Sequence, residues 1–244
     1  MIRFKQDPVR MIRMQKFQAR FGFHTHSEAS SAQEILRDEI VKSAPARVLE
    51  EIYRMLESGS AAPFFDLLYE SKFLHILFPK FTTCLEEGLK ESVFSYIKAA
   101  DALNLRGHYR PLFRELLTAV LIFPILEKKI ESEYLFIEKK ISLGNIIEMT
   151  EGLIHELLAE AFTHFPKRLR QGAHYICQMQ YRLTPLDKKK HTPKKLVRQR
   201  EFLYALTFLK LRSLIHPSLF KTYEHWKRLW KEEEEEEDHV DQNT

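Results

Sequence analysis

The chain has 244 residues, with 44% hydrophobic and 30% charged residues and a formal net charge of +4. That length suits one large or two small domains, and the apolar content excludes global disorder. Two cysteines, Cys84 and Cys177, give neither a disulfide framework nor zinc-knuckle spacing and point to a reducing, cytoplasmic setting. No apolar run reaches the ~18 residues of a membrane span. The longest, Leu112 to Leu126, is broken by Arg114, Glu115 and Pro124, so no membrane partner is expected. The seven glycines are too scattered for a dinucleotide fingerprint, a P-loop or a nucleophile elbow. His155-Glu156 opens like a helical zinc motif, but Ala159 stands where the second ligand is needed.

In chain order the pattern is helical throughout, with no alternating strand and no hairpin dipeptide. Asp7-Pro8 starts a helix that runs through Phe21 and stops at Gly22, with Asp7 as the cap. Arg10, Arg13, Lys16 and Arg20 form one stripe along it. A second helix is expected over Ser31 to Lys42, and a third from Pro45 to Ser58-Gly59. Pro63 to Pro79 reads as a buried helix. Helices follow over Glu86 to Leu105, Pro111 to Lys129, Ile146 to Phe162, Lys167 to Arg182 and Lys194 to Leu214. The fold class is all-α, an elongated multi-helix array. Three segments are expected: 1–95, 96–230, and a disordered acidic tail over 231–244, where Glu232 to Glu237 repel one another.

Between His164 and Arg200 eleven cations face one anion, Asp187. They include Lys167, Arg168, Arg170, Arg182, Lys188, Lys189, Lys190, Lys194, Lys195 and Arg198, with Phe165, Tyr175 and Tyr181 interleaved. Cations beside aromatic faces suit single-stranded RNA. A solvated helix followed by a lysine-rich loop explains the same composition. The acidic tail reads as a solubilising end, or as a shield that competes with RNA for these cations. His24 and His26 lack the further ligands a metal needs. Glu50 and Glu51 are expected to pair with Arg47 and Arg54 on one helix surface. The two cysteines read as ordinary thiols. Around Asp7 the plain reading is a helix start with an exposed Arg10. The same Arg, planar and rich in donors beside a carboxylate, suits the hydrogen-bonding edge of a base.

Gln6-Asp7-Pro8-Val9-Arg10-Met11-Ile12-Arg13, then Lys16-Phe17 and Gly22-Phe23, resembles the neck motif of bacterial poly(A) polymerases and the related tRNA CCA-adding nucleotidyltransferases. Pro45-Ala46-Arg47 with Glu50-Glu51, Leu74 to Pro79, and Phe202 to Arg212 are similar to later parts of that family. Phe165-Pro166-Lys167-Arg168-Leu169 resembles the poly(A) polymerase branch. The resemblance implies a C-terminal neck, body and leg lying outside a catalytic head. That head would hold Mg²⁺ on paired aspartates and use ATP; no cofactor is assigned to this chain. Ile2-Arg3-Phe4-Lys5 already resembles the family's run-in to the neck, which implies a truncated or split gene, with a head in cis or trans. By the same resemblance Asp7 and Arg10 contact the incoming base, and Arg13 lies near the nucleotide. Lys167, Arg168, Arg170, Arg182, Lys194, Lys195 and Arg198 fall in the region that grips RNA 3′ ends. Gln6 replaces the family's Glu and removes a charge that would orient Arg10. The implied function is RNA binding and base contact within RNA 3′-end polyadenylation, without catalysis by this chain alone. A free-standing headless RNA-binding protein is the alternative. An open neck end would expose an apolar patch around Phe4, Val9 and Phe17 and invite a partner.

Overall fold

The computed structural model describes residues 2–106, 111–135, 140–162, 164–186 and 193–241. All regular structure among them is helical, which establishes the all-α class. A short α1 (Ile2–Gln6) precedes α2 (Val9–Phe21). Gly22 ends α2 with φ 66°, and its N–H reaches the Gln18 carbonyl, a conformation a glycine adopts without strain. Asp7 does not cap. Pro8 occupies the cap position with no side-chain bond, because the Asp7 carboxylate is engaged elsewhere.

The chain continues through α3 (Ser27–Leu36) and a 3₁₀ segment over Arg37–Lys42. The start comes before the expected Ser31 because the His26 ring accepts the Glu28 N–H, a cap that the usual residue preferences do not flag. Next comes α4 (Pro45–Leu56), one face of which is fully buried. The expected single helix over 63–79 is two: α5 (Ala61–Glu70) and α6 (Phe73–Leu77), separated where Lys72 turns left-handed at φ 65°. Both Asp101 oxygens cap α5 from afar, accepting the Ala61 and Ala62 N–H groups at 2.8 Å. A carboxylate at a helix N-terminus satisfies orphan donors and complements the dipole.

After α7 (Pro79–Cys84) and a π-helical turn at Leu85–Leu89 comes α8 (Lys90–Arg106). The boundary expected at 95/96 falls inside α8, and the core runs across it. Helix α9 (Arg114–Ile130) is apolar nearly all round and sits at the centre, its length buried from Glu115 through Leu126. Around it pack α8, α10 (Leu143–Ile154) and α11 (Lys167–Leu183). The expected Lys194–Leu214 helix is likewise divided, into α12 (Pro193–Val197) and α13 (Phe202–Ile215).

The last helix, α14 (Phe220–Asp241), extends into the acidic segment expected to be disordered. Tyr223 and Trp226 anchor it in a second apolar cluster with Met179, Leu183, Val197, Phe202 and Leu206. The Trp226 indole N–H donates to the Leu183 carbonyl at 3.0 Å. Farther along, Glu233 is buried against Arg198, and Glu232 lies i,i+4 from Arg228. Those pairings offset the repulsion within the glutamate run.

Candidate nucleic-acid interface

Two constellations stand on this frame. The first joins the start of α2 to the first turn of α4. Arg47 donates from Nη2 to both Asp7 oxygens at 3.2 Å, and Arg10 Nε lies 3.6 Å from the same carboxylate. Asp7 is largely covered, whereas the Arg10 and Arg47 side chains are about half exposed. The carboxylate therefore orients two guanidinium groups whose remaining donors face outward.

Arg13 does a different job. Its Nε and the Lys16 ammonium grip Glu51 at 2.8 and 2.7 Å, and Glu51 is buried. Burial opposes ionisation, yet the Lys16 and Arg13 hydrogen bonds hold the Glu51 carboxyl below its usual value. So the expected Arg47–Glu51 pair does not form, while Arg54 pairs with Glu50 at 3.0 Å as expected. Glu50 also receives Arg114 at 2.7 Å, and Arg114 grips Glu57 at 2.6 Å, tying α9 to α4.

The second constellation lies between α11 and α13. A groove of about 810 Å³ is walled by Lys167, Arg168, Gln171, Tyr175, Arg200 and Tyr204, with Glu115 at its base. Phe113, partly exposed, lies against Tyr204 with ring centroids 4.4 Å apart. Glu115 is buried in the first turn of α9 and pairs with Arg168, which is 80% exposed. Among the described residues Lys167 and Arg200 form no side-chain hydrogen bond or ion pair, and both are exposed. A 620 Å³ cleft walled by Pro45, Tyr53, Arg114, His164 and Pro166 connects the α4 end to the α11 start. Neighbouring residues of α9, Arg114 and Glu115, stand one in each cavity wall.

The remaining expected cations scatter. Arg170 is half-buried and outside the groove walls. Arg182 is half-buried with its Nε enclosed. Lys195 is exposed on α12. Arg198 is held by Glu233. Lys188, Lys189 and Lys190, and the Lys194 side chain, lie outside the described residues. Arg47, Gln171 and Tyr204 were not singled out as binding residues. Arg47 carries a sequence signal only as part of the Pro45-Ala46-Arg47 resemblance and as an expected helix-surface ion pair, and Tyr204 only by its place in an apolar helix. Among the described residues no three His, Cys, Asp or Glu side chains converge as a metal site, and no helix is long and apolar enough to cross a membrane. Burial pushes both the Cys84 and Cys177 thiols up.

Two family models match the chain. One, described as the probable RNA and SrmB-binding site of polymerase A, covers residues 22–85; the other, the polymerase A arginine-rich C-terminus, covers 154–244. The chain belongs to the bacterial poly(A) polymerase family. Its resemblance runs to the C-terminal portion. Poly(A) polymerase I of Salmonella typhimurium is 25% identical over 219 residues, 87% of this chain and 45% of that protein. Poly(A) polymerase I of Escherichia coli O6:H1 is 26% identical over 218 residues, again 45% of its length. A multifunctional CCA protein of Thioalkalivibrio sulfidiphilus is 37% identical over 82 residues, 32% of this chain and 20% of that protein. The chain thus spans just under half the length of the poly(A) polymerases it matches. The arginine-rich match takes in the α11–α13 groove, and the RNA-binding match takes in Arg47.

Proposed function

We propose that this chain holds single-stranded RNA 3′ ends in the α11–α13 groove and contacts the incoming nucleotide base through Asp7 and Arg10, as the C-terminal part of a bacterial-type poly(A) polymerase. One observation carries the reading. Lys167, Arg168 and Arg200 stand beside Tyr175, Tyr204 and Phe113 in one open groove. Cations neutralise phosphates, and aromatic faces receive unpaired bases. Arg10 and Arg47, held by Asp7, offer the donors that a base edge accepts. ATP and Mg²⁺ belong to the nucleotidyltransferase head, in the same chain or another, which supplies the adenylyl transfer chemistry. The side chains here bind and orient. A cytoplasmic setting accords with the two unpaired cysteines.

The test is RNA anisotropy across a salt series, with adenylation assayed alongside. Single-stranded RNA should bind, and Lys167→Glu with Arg200→Glu should weaken it at least tenfold at low salt. The slope of log affinity against log salt should fall by about 1.4, two contacts at ~0.7 each. With ATP, Mg²⁺ and RNA this chain alone should add no nucleotide, and a nucleotidyltransferase head should restore addition. Unchanged affinity in the double variant contradicts the groove. RNA binding without any response to a head favours a free-standing RNA-binding protein.

A further inference from the structure

A third cavity lies against α2. It measures about 440 Å³ and opens between α2, α3 and the turn joining α5 to α6. Gln15, His24, Gln33, Arg37 and Ser71 wall it, with Glu34 and Glu70 exposed around it. Such a volume lies within the range of small-ligand pockets. Gln15 is only 4% exposed, and its side-chain carbonyl is enclosed without a hydrogen-bond partner. The Arg37 Nε is enclosed without a hydrogen bond and lies 3.8 Å from the Asp38 carboxylate, while its Nη1 donates to the Ser71 carbonyl at 3.2 Å. Buried polar groups in folded proteins are nearly always satisfied, so the orphan Gln15 acceptor in the cavity wall calls for an occupant that donates to it.

Beside the cavity stands an aromatic ladder. Phe17, Phe21 and Phe23 are each at least half exposed and stack in sequence, with centroids 6.1 and 5.4 Å apart. Arg20 lies over the Phe21 ring at 5.4 Å. Phe23 leads directly into His24 and Thr25 of the cavity wall, where the Thr25 hydroxyl donates to the Gln18 amide oxygen at 3.2 Å and fixes the loop. The patch expected around Phe4, Val9 and Phe17 is therefore placed differently. Val9 is fully buried and Phe4 partly so, and the exposed rings are these three.

We propose that one nucleobase of a single-stranded RNA enters this cavity while its neighbours stack on the Phe17–Phe21–Phe23 ladder. This rests on the RNA-binding reading above and adds a second subsite to it. A base edge presents N–H donors that suit the unpartnered Gln15 carbonyl, with the Arg37 guanidinium in the same wall to face its acceptors. Glu34 and Glu70 repel a phosphate, so the base, and not the backbone, occupies the cavity. The ladder offers π-faces to flanking bases, and Arg20 brings positive charge to the strand passing over it.

The test uses the full chain in two arms. Adenosine, cytidine and uridine are titrated singly while the Gln15 and Gln33 side-chain amides are followed by NMR, with inorganic phosphate as the control. At least one nucleoside should shift both amides saturably, and phosphate should not. Gln15→Leu should abolish the Gln33 shift without lowering Tm, since it removes an unpartnered buried carbonyl. Arg37→Lys, which keeps the charge and loses Nε, should weaken them. In the second arm, Gln15→Leu and Phe21→Ala should each reduce RNA affinity about fivefold with the salt slope unchanged, unlike Lys167→Glu with Arg200→Glu. Full RNA affinity in both variants, with no nucleoside shifts, overturns the subsite and leaves the groove standing. Failure of the unmodified chain to bind RNA overturns both readings. A Phe21→Ala variant that changes only the oligomeric state assigns the ladder to a protein contact and overturns the proposal.

Discussion

Glu51 shows how one side chain serves both fold and site. It is buried, yet Arg13 and Lys16 converge on it and lock α2 against α4 beneath the Arg10–Arg47 edge. Replacing it by Gln leaves the two cations without their counter-charge. Glu51→Gln should cost roughly 1.5–3 kcal/mol at pH 7, the range for hydrogen bonds to charged groups. Its carboxyl titrates below the usual 4.5 in the folded chain. The stabilisation is therefore complete above that usual value and is lost as pH falls through the lower folded value. Urea melts of the two proteins should differ at pH 7 and converge in acid; a constant gap across pH contradicts the ion-pair role. None of this pairing is visible locally, because Asp7–Arg47 and Arg13–Glu51 join residues about forty positions apart. The Arg54–Glu50 pair, four residues apart on one helix, was legible for that reason.

At the scale of the elements, the floor of the groove depends on how closely α9 and α11 approach. Gly172 sits in α11 directly over Glu115, and a Cβ there would overlap the Glu115 Cβ and Cγ atoms. Gly172→Ala should displace Glu115 and loosen Arg168. Overpacking of ~1–3 kcal/mol is set against a helix-propensity gain of ~1 kcal/mol. A net loss near 1 kcal/mol in urea melts is expected, and a gain contradicts the close approach. Helix α14 carries a second consequence. Glu233 holds Arg198, so residues 231–244 compete with RNA for one cation of the basic stretch. Deleting them leaves the Tyr223 and Trp226 anchors in place and should tighten RNA binding about two- to fivefold at low salt, an effect that salt screens away. Equal affinity with and without the segment contradicts the shield. The sequence made α4 and α11 legible through their amphipathic spacing and the prolines beside their starts. It hid the break at Lys72, where a lysine adopts a conformation usually left to glycine, and the continuation of α14 through a glutamate run.

Across the whole molecule, α9 is the organising centre, and what it collects sets the polarity of the surface. Its N-terminal turn brings Arg114 to the α4 cleft and Glu115 to the α11–α13 groove. Farther along, Glu127 accepts from the Tyr96 hydroxyl at 2.6 Å and from Arg212 at 2.9 Å, joining α8, α9 and α13 in one polar link within an apolar interior. The basic stretch over 164–200 was legible as a binding surface from its charge count. Its division was not, since only folding decides that Lys167 and Arg200 share a groove while Arg170 lies outside it and Arg198 is tied to α14. The most direct measurement is photocrosslinking of a 4-thiouridine-labelled single-stranded RNA to the full chain, followed by peptide mapping. Crosslinks should concentrate on the peptides bearing Phe113, Tyr175 and Tyr204, and should fade in the Lys167→Glu, Arg200→Glu variant. Crosslinks spread evenly over the surface, or absent from those peptides, would contradict an RNA path through the α11–α13 groove.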